Sequence, residues 1–338
     1  MKASSYFSVP MVFNNTVTIE VLEYFTFYLN RYVLLIAYMF GNIENVLTAI
    51  IFAKKCWRKN VCVFYLTVYL VISFAYLNSI VLTSIFVYGY DIDLQNVSTI
   101  LCKLYFYCAY LFLTLSPTIL ILASVDRLLI SSQNVDTRLY SSKRLAYFSI
   151  SLSTLFWMIF SIHTLIKVSI YEVYPSRATC YYDIASSYSD FVSYSSIVFV
   201  ASFFIIILVL CICSFKNVRH IRFVPRSQRH QLRTMTKKDF QLLRCLFAYD
   251  LVFITCCVPL ILVTVYQVIL KGYAQVELLQ IIENFAFKTS MFIAHVPFWI
   301  GFYICLAISK AFRTELKRML YRISNQPLVS TRDDENKD

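Results

Sequence analysis

Seven stretches of the chain are too long and too continuously apolar for the core elements of a water-soluble fold. They run over 28–53, 62–88, 99–130, 144–170, 191–215, 241–270 and 281–308. Crossing the hydrocarbon of a bilayer takes about 20 helical residues, and each stretch meets that length. Lipid offers backbone N–H and C=O groups no partner, so each stretch is expected to be a helix. A β-barrel would need alternating segments of roughly ten residues instead. After the seventh stretch the pattern changes. Phe312, Leu316, Met319, Leu320 and Ile323 recur at helical spacing, while Arg313, Lys317, Arg318 and Arg322 take the opposite face. That pattern predicts an amphipathic helix lying on a membrane surface. The predicted fold is all-α. It comprises an N-terminal segment 1–27, a seven-helix transmembrane bundle 28–308, a surface helix 309–324 and a disordered tail 325–338.

Composition agrees with the pattern. The 338 residues are 59% hydrophobic and 15% charged, where a soluble domain has about 25% charged residues. Disordered chains are polar and highly charged, so the same values exclude disorder. The net charge of +12 does not imply nucleic acid, because the basic residues form short clusters between apolar runs rather than a stripe on a soluble face.

Those clusters set an orientation. Lys and Arg number 24 on the side of the loops after helices one, three and five and the C-terminal tail, and 7 on the other. Basic loops stay cytoplasmic, so the N-terminus is expected outside the cell, in the plasma membrane. The sequons at Asn14 and Asn96 both fall on that outer side and are candidate glycosylation sites. The N-terminus shows no cleavable signal-peptide pattern.

Of the eleven cysteines, Cys102 and Cys180 are the two placed on the oxidising side, where a disulfide persists. The others show no paired spacing that would hold zinc, and no metal or cofactor is expected. From Cys102 to Arg127 a helix would span about 37 Å at 1.5 Å per residue. That carries helix three from the outer face to Asp126-Arg127-Leu128 at the inner one.

This ordered set resembles the rhodopsin-like family of G-protein-coupled receptors. Its matching residues are Gly41-Asn42, Cys102, Asp126-Arg127-Leu128, Trp157, Cys180, Pro259 and Phe312-Arg313. The segments Ser214-Phe-Lys-Asn-Val-Arg219, Lys237-Lys-Asp-Phe-Gln-Leu-Leu-Arg244 and Ser309-Lys-Ala-Phe-Arg-Thr-Glu-Leu316 are similar to the divergent invertebrate group related to FMRFamide-type neuropeptide receptors. The resemblance implies that Asn42, Trp157 and Pro259 are helix landmarks, with Pro259 kinking helix six. It implies that Arg127 pairs with Asp126 at rest and contacts a heterotrimeric G protein when active. Asp239 would close a second ion pair to Arg127, with a solvated loop charge as the alternative.

The chain departs from the family pattern at four places. Ser73 stands where the family has a sodium-binding Asp, and Cys257 where it has an aromatic toggle. Gly301 and Cys305 stand in the Asn and Tyr slots of the helix-seven motif, with its proline displaced to Pro297. At the mouth, Ala109 replaces the Asp of monoamine receptors, and Lys288 lies too high for a retinal Schiff base. Tyr105, Tyr266, Asp183, Asp190, Glu277, Glu283 and Lys288 line that mouth and suit a cationic peptide. The same groups also fit an interfacial aromatic belt with solvated acids. Glu44 and Asp250 are intramembrane acids, functional candidates by default, though their depth favours a hydrogen-bonded structural role.

The expected function is a receptor for an extracellular ligand, peptide or small molecule, acting on a G protein. The alternatives are a chemosensory or uncoupled receptor, and a transporter. No internal repeat supports the transporter. The dispersed His163, His220, His230 and His295 form no catalytic constellation, so an enzyme is not expected.

Overall fold

Each apolar run folds as a helix, and most of the helices are longer than the run that predicted them. The computed structural model describes residues 9–132, 137, 140–174, 177–182, 187–223, 237–270 and 277–323. Asp183 and the tail 325–338 lie outside the described residues, as do the side chains of Asn14 and Glu277.

Helix α1 starts well before the expected boundary at 28. It is α-helical over Val9–Tyr28, π-helical over Leu29–Val33 and α-helical again over Leu34–Phe52. At 1.5 Å per residue it measures roughly 66 Å, more than the 40–45 Å of a whole bilayer. Helix α2 begins at Val61–Tyr76 and passes through two further π turns, Leu77–Val81 and Ile85–Gly89. The second of these packs on the π turn of α1. Gly89 permits the approach, since a Cβ there would lie 2.9 Å from the Arg31 Cα.

Helix α3 is Thr99–Ser131, capped by Ser98 and carrying Pro117 within it. Helix α4 runs over Lys143–Phe160 and Ile162–Lys167, α5 over Ser187–Phe223 and α6 over Lys237–Leu270. Half of the α2 and α3 spans is buried, against 6% for α5. The bundle is therefore built around α2 and α3, with α5 presented to lipid.

The expectation that the fourth run stays helical to residue 170 fails. After Lys167 the chain turns into strand β1, Val168–Tyr174, which pairs antiparallel with β2, Arg177–Tyr182. Val168, Ile170, Tyr171, Val173 and Tyr174 are β-branched or aromatic, residue types enriched in strands. The all-α bundle thus carries one hairpin.

Helix α7 is broken. Glu277–His295 continues into a tight turn at Val296–Phe298, then Gly301–Ile308 departs at 51°. Pro297 has no N–H to continue the ladder. Six continuous helices and this bent pair make the seven spans. The carbonyls at the break are taken by side chains from other helices. Asn45 Nδ2 donates to the Phe298 carbonyl at 3.2 Å and Tyr69 to that of Pro297 at 3.1 Å.

Helix α8, Lys310–Ile323, leaves α7 at Ser309. Phe312 is fully buried, with its ring against Phe52 and Phe302. Lys54 holds Glu315 at 3.2 Å and Arg318 holds it at 2.7 Å. Burial alone would raise the Glu315 carboxyl, but its hydrogen bonds and charge pairing with Lys54 and Arg318 outweigh that and hold it below its ordinary value. These ties persist at neutral pH and loosen only as pH falls through that lowered value.

Gly301 makes the break testable. A Cβ there would collide with the Tyr249 hydroxyl and lie 2.9–3.0 Å from its ring carbons. Gly301→Ala is expected to cost about 1–3 kcal/mol of stability, read as a lower thermal midpoint in detergent. Adding Tyr249→Phe, which removes the nearest atom, should recover part of that loss. An unchanged midpoint in Gly301→Ala would show that the ring is not held there.

Candidate functional site

The polar chemistry of the bundle gathers at two ends. At one end, Arg127 is wholly buried at the foot of α3. Its Nε and Nη2 donate to Asp126 Oδ2 at 3.1 and 2.5 Å. Its Nη1 lies 3.4 Å from Asp239 Oδ1 in the first turn of α6. Its Nη2 also donates to Asn60 Oδ1 at 3.2 Å. Asn60 Nδ2 in turn donates to Asp239 Oδ1 at 2.5 Å. Asp126 uses its second oxygen to accept from Ser141 at 2.5 Å, just ahead of α4. The sequence predicted the three charges and missed Asn60 and Ser141.

Asn60 had a readable signal. It follows a basic cluster and precedes an apolar run, which marks an N-cap. Its Oδ1 accepts from the Cys62 N–H at 3.0 Å, so one side chain caps α2 and bridges α3 to α6. The arginine is thereby tied to α2, α6 and the approach to α4 together. A guanidinium removed from water is tolerable only when its donors are met, and stripping one partner from such a pair costs about 3–5 kcal/mol.

The opposite end carries the hairpin. Cys102 and Cys180 form a disulfide that fixes β2 to α3. Asn96 Oδ1 accepts from the Cys180 N–H at 2.7 Å, so this sequon asparagine also anchors the strand. An aromatic cluster spreads from the hairpin across α3, α4 and α5. The Phe106 ring lies 5.8 Å from Tyr181 and 6.3 Å from Tyr182, and Tyr182 lies 5.8 Å from Tyr188. The Tyr188 hydroxyl and His163 Nδ1 are 2.7 Å apart. Tyr110 packs edge-on against His163 and its hydroxyl meets Ser195 at 2.8 Å. Tyr110, Tyr182 and Tyr188 do not stand out in the sequence, because apolar runs are full of aromatics and no spacing rule selects these, and His163 reads there only as one of four dispersed histidines.

Tyr105, Ala109, Tyr266, Glu283 and Lys288, all expected at the mouth, do not form this cluster. Tyr105 and Ala109 pack on the main core. Tyr266 is largely exposed. The Lys288 ammonium sits over the Tyr88 ring at 5.4 Å. Glu283 is half-buried, and its Oε1 is enclosed with no hydrogen-bond partner. Among the described residues no group of three or more His, Cys, Asp or Glu side chains could hold a metal ion.

Between the two ends lie the helix landmarks. Trp157 Nε1 donates to Thr118 at 2.9 Å and joins α4 to α3. Pro259 sits inside the continuous α6. Asn42 is half-buried and accepts from Asn78 of α2 at 2.8 Å. The asparagine that joins α1 to α7 is Asn45, three residues on. Ser73, Cys257 and Cys305 are buried in the core. Beside them the Tyr76 ring stacks on Phe298 at 3.8 Å and its hydroxyl meets His295 Nδ1 at 2.8 Å.

Asn60→Ala is expected to cost about 0.5–2 kcal/mol through the lost cap, with Asn60→Ser costing less, both read as thermal midpoints. Equal midpoints for the two variants would remove the cap from the account.

No curated protein matches the chain. Residues 44–308 match the sequence model described as 7 transmembrane receptor (rhodopsin family). That match covers most of the bundle, from the buried Glu44-Asn45 pair to the end of α7, and with the buried arginine and the hairpin disulfide in place, the chain belongs to the rhodopsin family of seven-transmembrane receptors.

Proposed function

We propose that the chain is a neuropeptide-type receptor whose hairpin end faces the cell exterior and whose arginine end engages a heterotrimeric G protein. The observation that carries this is the Asp126–Arg127–Asp239 arrangement with Asn60 at the basic end of the bundle. It closes that end by joining α3 to α6. A ligand that binds the open arrangement more tightly than the closed one shifts the balance between them. When α6 parts from α3, Arg127 loses Asp239 and is free to meet a partner from the cytoplasm. The excess of basic loops at this end supports the orientation, and with it glycosylation at Asn14 and Asn96.

A peptide ligand is supported by the hairpin end. The aromatic cluster supplies flat apolar surface, and the enclosed, unpartnered oxygen of Glu283 can accept from a cation. The FMRFamide-like sequence segments favour a peptide ending in Arg-Phe-amide. The same geometry accepts a small cationic molecule. A second reading, a receptor with altered coupling, is favoured by Cys257 and by Gly301 against Tyr249, where the family carries its switch residues.

Two experiments test this. The first is surface expression with an N-terminal tag and a challenge with amidated peptides, reading calcium and cAMP. A response is expected that Arg127→Ala abolishes at equal surface staining and that Glu283→Gln shifts to at least about tenfold higher concentration, a loss of about 1.4 kcal/mol. Silence across the library at good surface staining would turn the assignment to the second reading. The second experiment treats intact cells with a glycosidase. A mobility shift lost in the Asn14→Gln/Asn96→Gln double variant is expected. Tag staining that requires permeabilisation would reverse the orientation.

A further inference from the structure

Asp250 lies in α6, 99% buried, and faces α3 and α5. Its Oδ2 accepts from the Ser124 hydroxyl at 2.9 Å and from the Cys211 thiol at 3.6 Å. Its Oδ1 is enclosed and has no partner. Beside it is a cavity of about 10 Å³, bounded by Ser124, Cys211, Ser214, Leu246, Phe247 and Asp250 among others. That volume is about the minimum for one water molecule.

No Lys, Arg or His is among the described residues that line this cavity. From α3 the facing polar group is Ser124, and from α5 they are Cys211 and Ser214. From α2, Cys62 and Tyr69 are the titratable groups within electrostatic reach. The nearest cation along α3, Arg127, is already engaged by Asp126 and Asp239. An ionised carboxylate enclosed at this depth with no facing cation is far more costly than the neutral acid. A single water placed there would be within reach of the free oxygen.

We propose that this cavity is a proton-binding site coupled to the position of α6. With α6 packed, Asp250 holds the proton as a neutral acid between α3 and α5. When α6 parts from them, water from the arginine end, about one helical turn away along α3, reaches the carboxyl. The acid ionises there and its proton passes to that water. The closed arrangement therefore gains, and the open one loses, as pH falls. For one linked proton the balance changes by up to about tenfold per pH unit. The inference rests on the proposed opening of α6 but on no ligand and no G protein.

The test is infrared spectroscopy of the purified full-length protein in lipid nanodiscs, between about pH 6 and about pH 8. The wild-type spectrum is expected to show a protonated-carboxyl band near neutral pH that Asp250→Asn removes. If that variant fails to accumulate, Ser124→Ala serves instead, shifting the band by deleting the hydroxyl on Oδ2. Asp239→Ala, which loosens α6 from α3, is expected to weaken the band at high pH and to regain it at low pH. A wild-type spectrum with no band attributable to Asp250 overturns the site. A band that Asp239→Ala leaves unchanged at every pH overturns the coupling. Either result stands whatever the peptide screen shows, because the readout needs no signalling.

Discussion

The burial of the Arg127 guanidinium constrains the rest of this molecule. A charge of that size in a helix bundle must be met on several sides at once. The chain meets it with a neighbour on the same helix, the cap of α2 and the first turn of α6, while a serine ahead of α4 holds the second oxygen of that neighbour. Two of those partners sit where their own helices begin. The start of α2 is set by Asn60, which must both cap and bridge. The first turn of α6 must carry Asp239 toward α3. One side chain thereby fixes the register of three helices at one end, as the Cys102–Cys180 bond fixes the hairpin to α3 at the other.

Between those ends the helices cannot rely on the hydrophobic effect to associate, since lipid is as apolar as leucine. Packing and polar contacts between helices decide the arrangement. The break in α7 shows how this works. Pro297 and the turn after it release carbonyls, and Asn45 and Tyr69 reach across from α1 and α2 to take them. A local defect in one helix thus becomes the point that holds three together. The stack of Tyr76 on Phe298, with His295 on the Tyr76 hydroxyl, fills the same level of the bundle. It lies near Ser73 and Cys257, where the family pattern would place a carboxylate and a tryptophan.

What was legible in the sequence follows from the same physics. Span count and the amphipathic α8 were readable because lipid imposes length and periodicity over long windows. Arg127, Asp126, Asp239 and the disulfide were readable because charges and paired outer cysteines are rare in such a chain. Asn60 is readable in principle as a cap, though nothing in the sequence says that it also bridges α3 to α6. The hairpin was hidden because Val168 to Tyr174 continues an apolar run, and only its β-branched and aromatic residues hint at a strand. The aromatic cluster around His163 was hidden for another reason. With 29 Phe and 26 Tyr, composition cannot say which rings meet. The link from α1 to α7 was hidden in the same way, because Asn42 and Asn45 are both asparagines in apolar surroundings and only the partner helix tells them apart.

The attachments of α6 bound how readily such a bundle can open. At the arginine end α6 is held by Arg127 and Asn60 on Asp239, by the Ser309 hydroxyl and Ala311 N–H on Gln241, and by Ser124 and Cys211 on Asp250. Polar contacts between membrane helices average about 0.6 kcal/mol each, so the five besides the Arg127–Asp239 pair amount to about 3 kcal/mol. Moving a two-state balance from 1:99 to 99:1 takes a difference of about 5.5 kcal/mol in how tightly a ligand binds the two states. The two values are of the same order. An α6 held much more firmly would ignore any plausible ligand. Spreading the restraint over Asp239, Gln241 and Asp250 keeps the helix closed while leaving the neutral contacts weak enough to break.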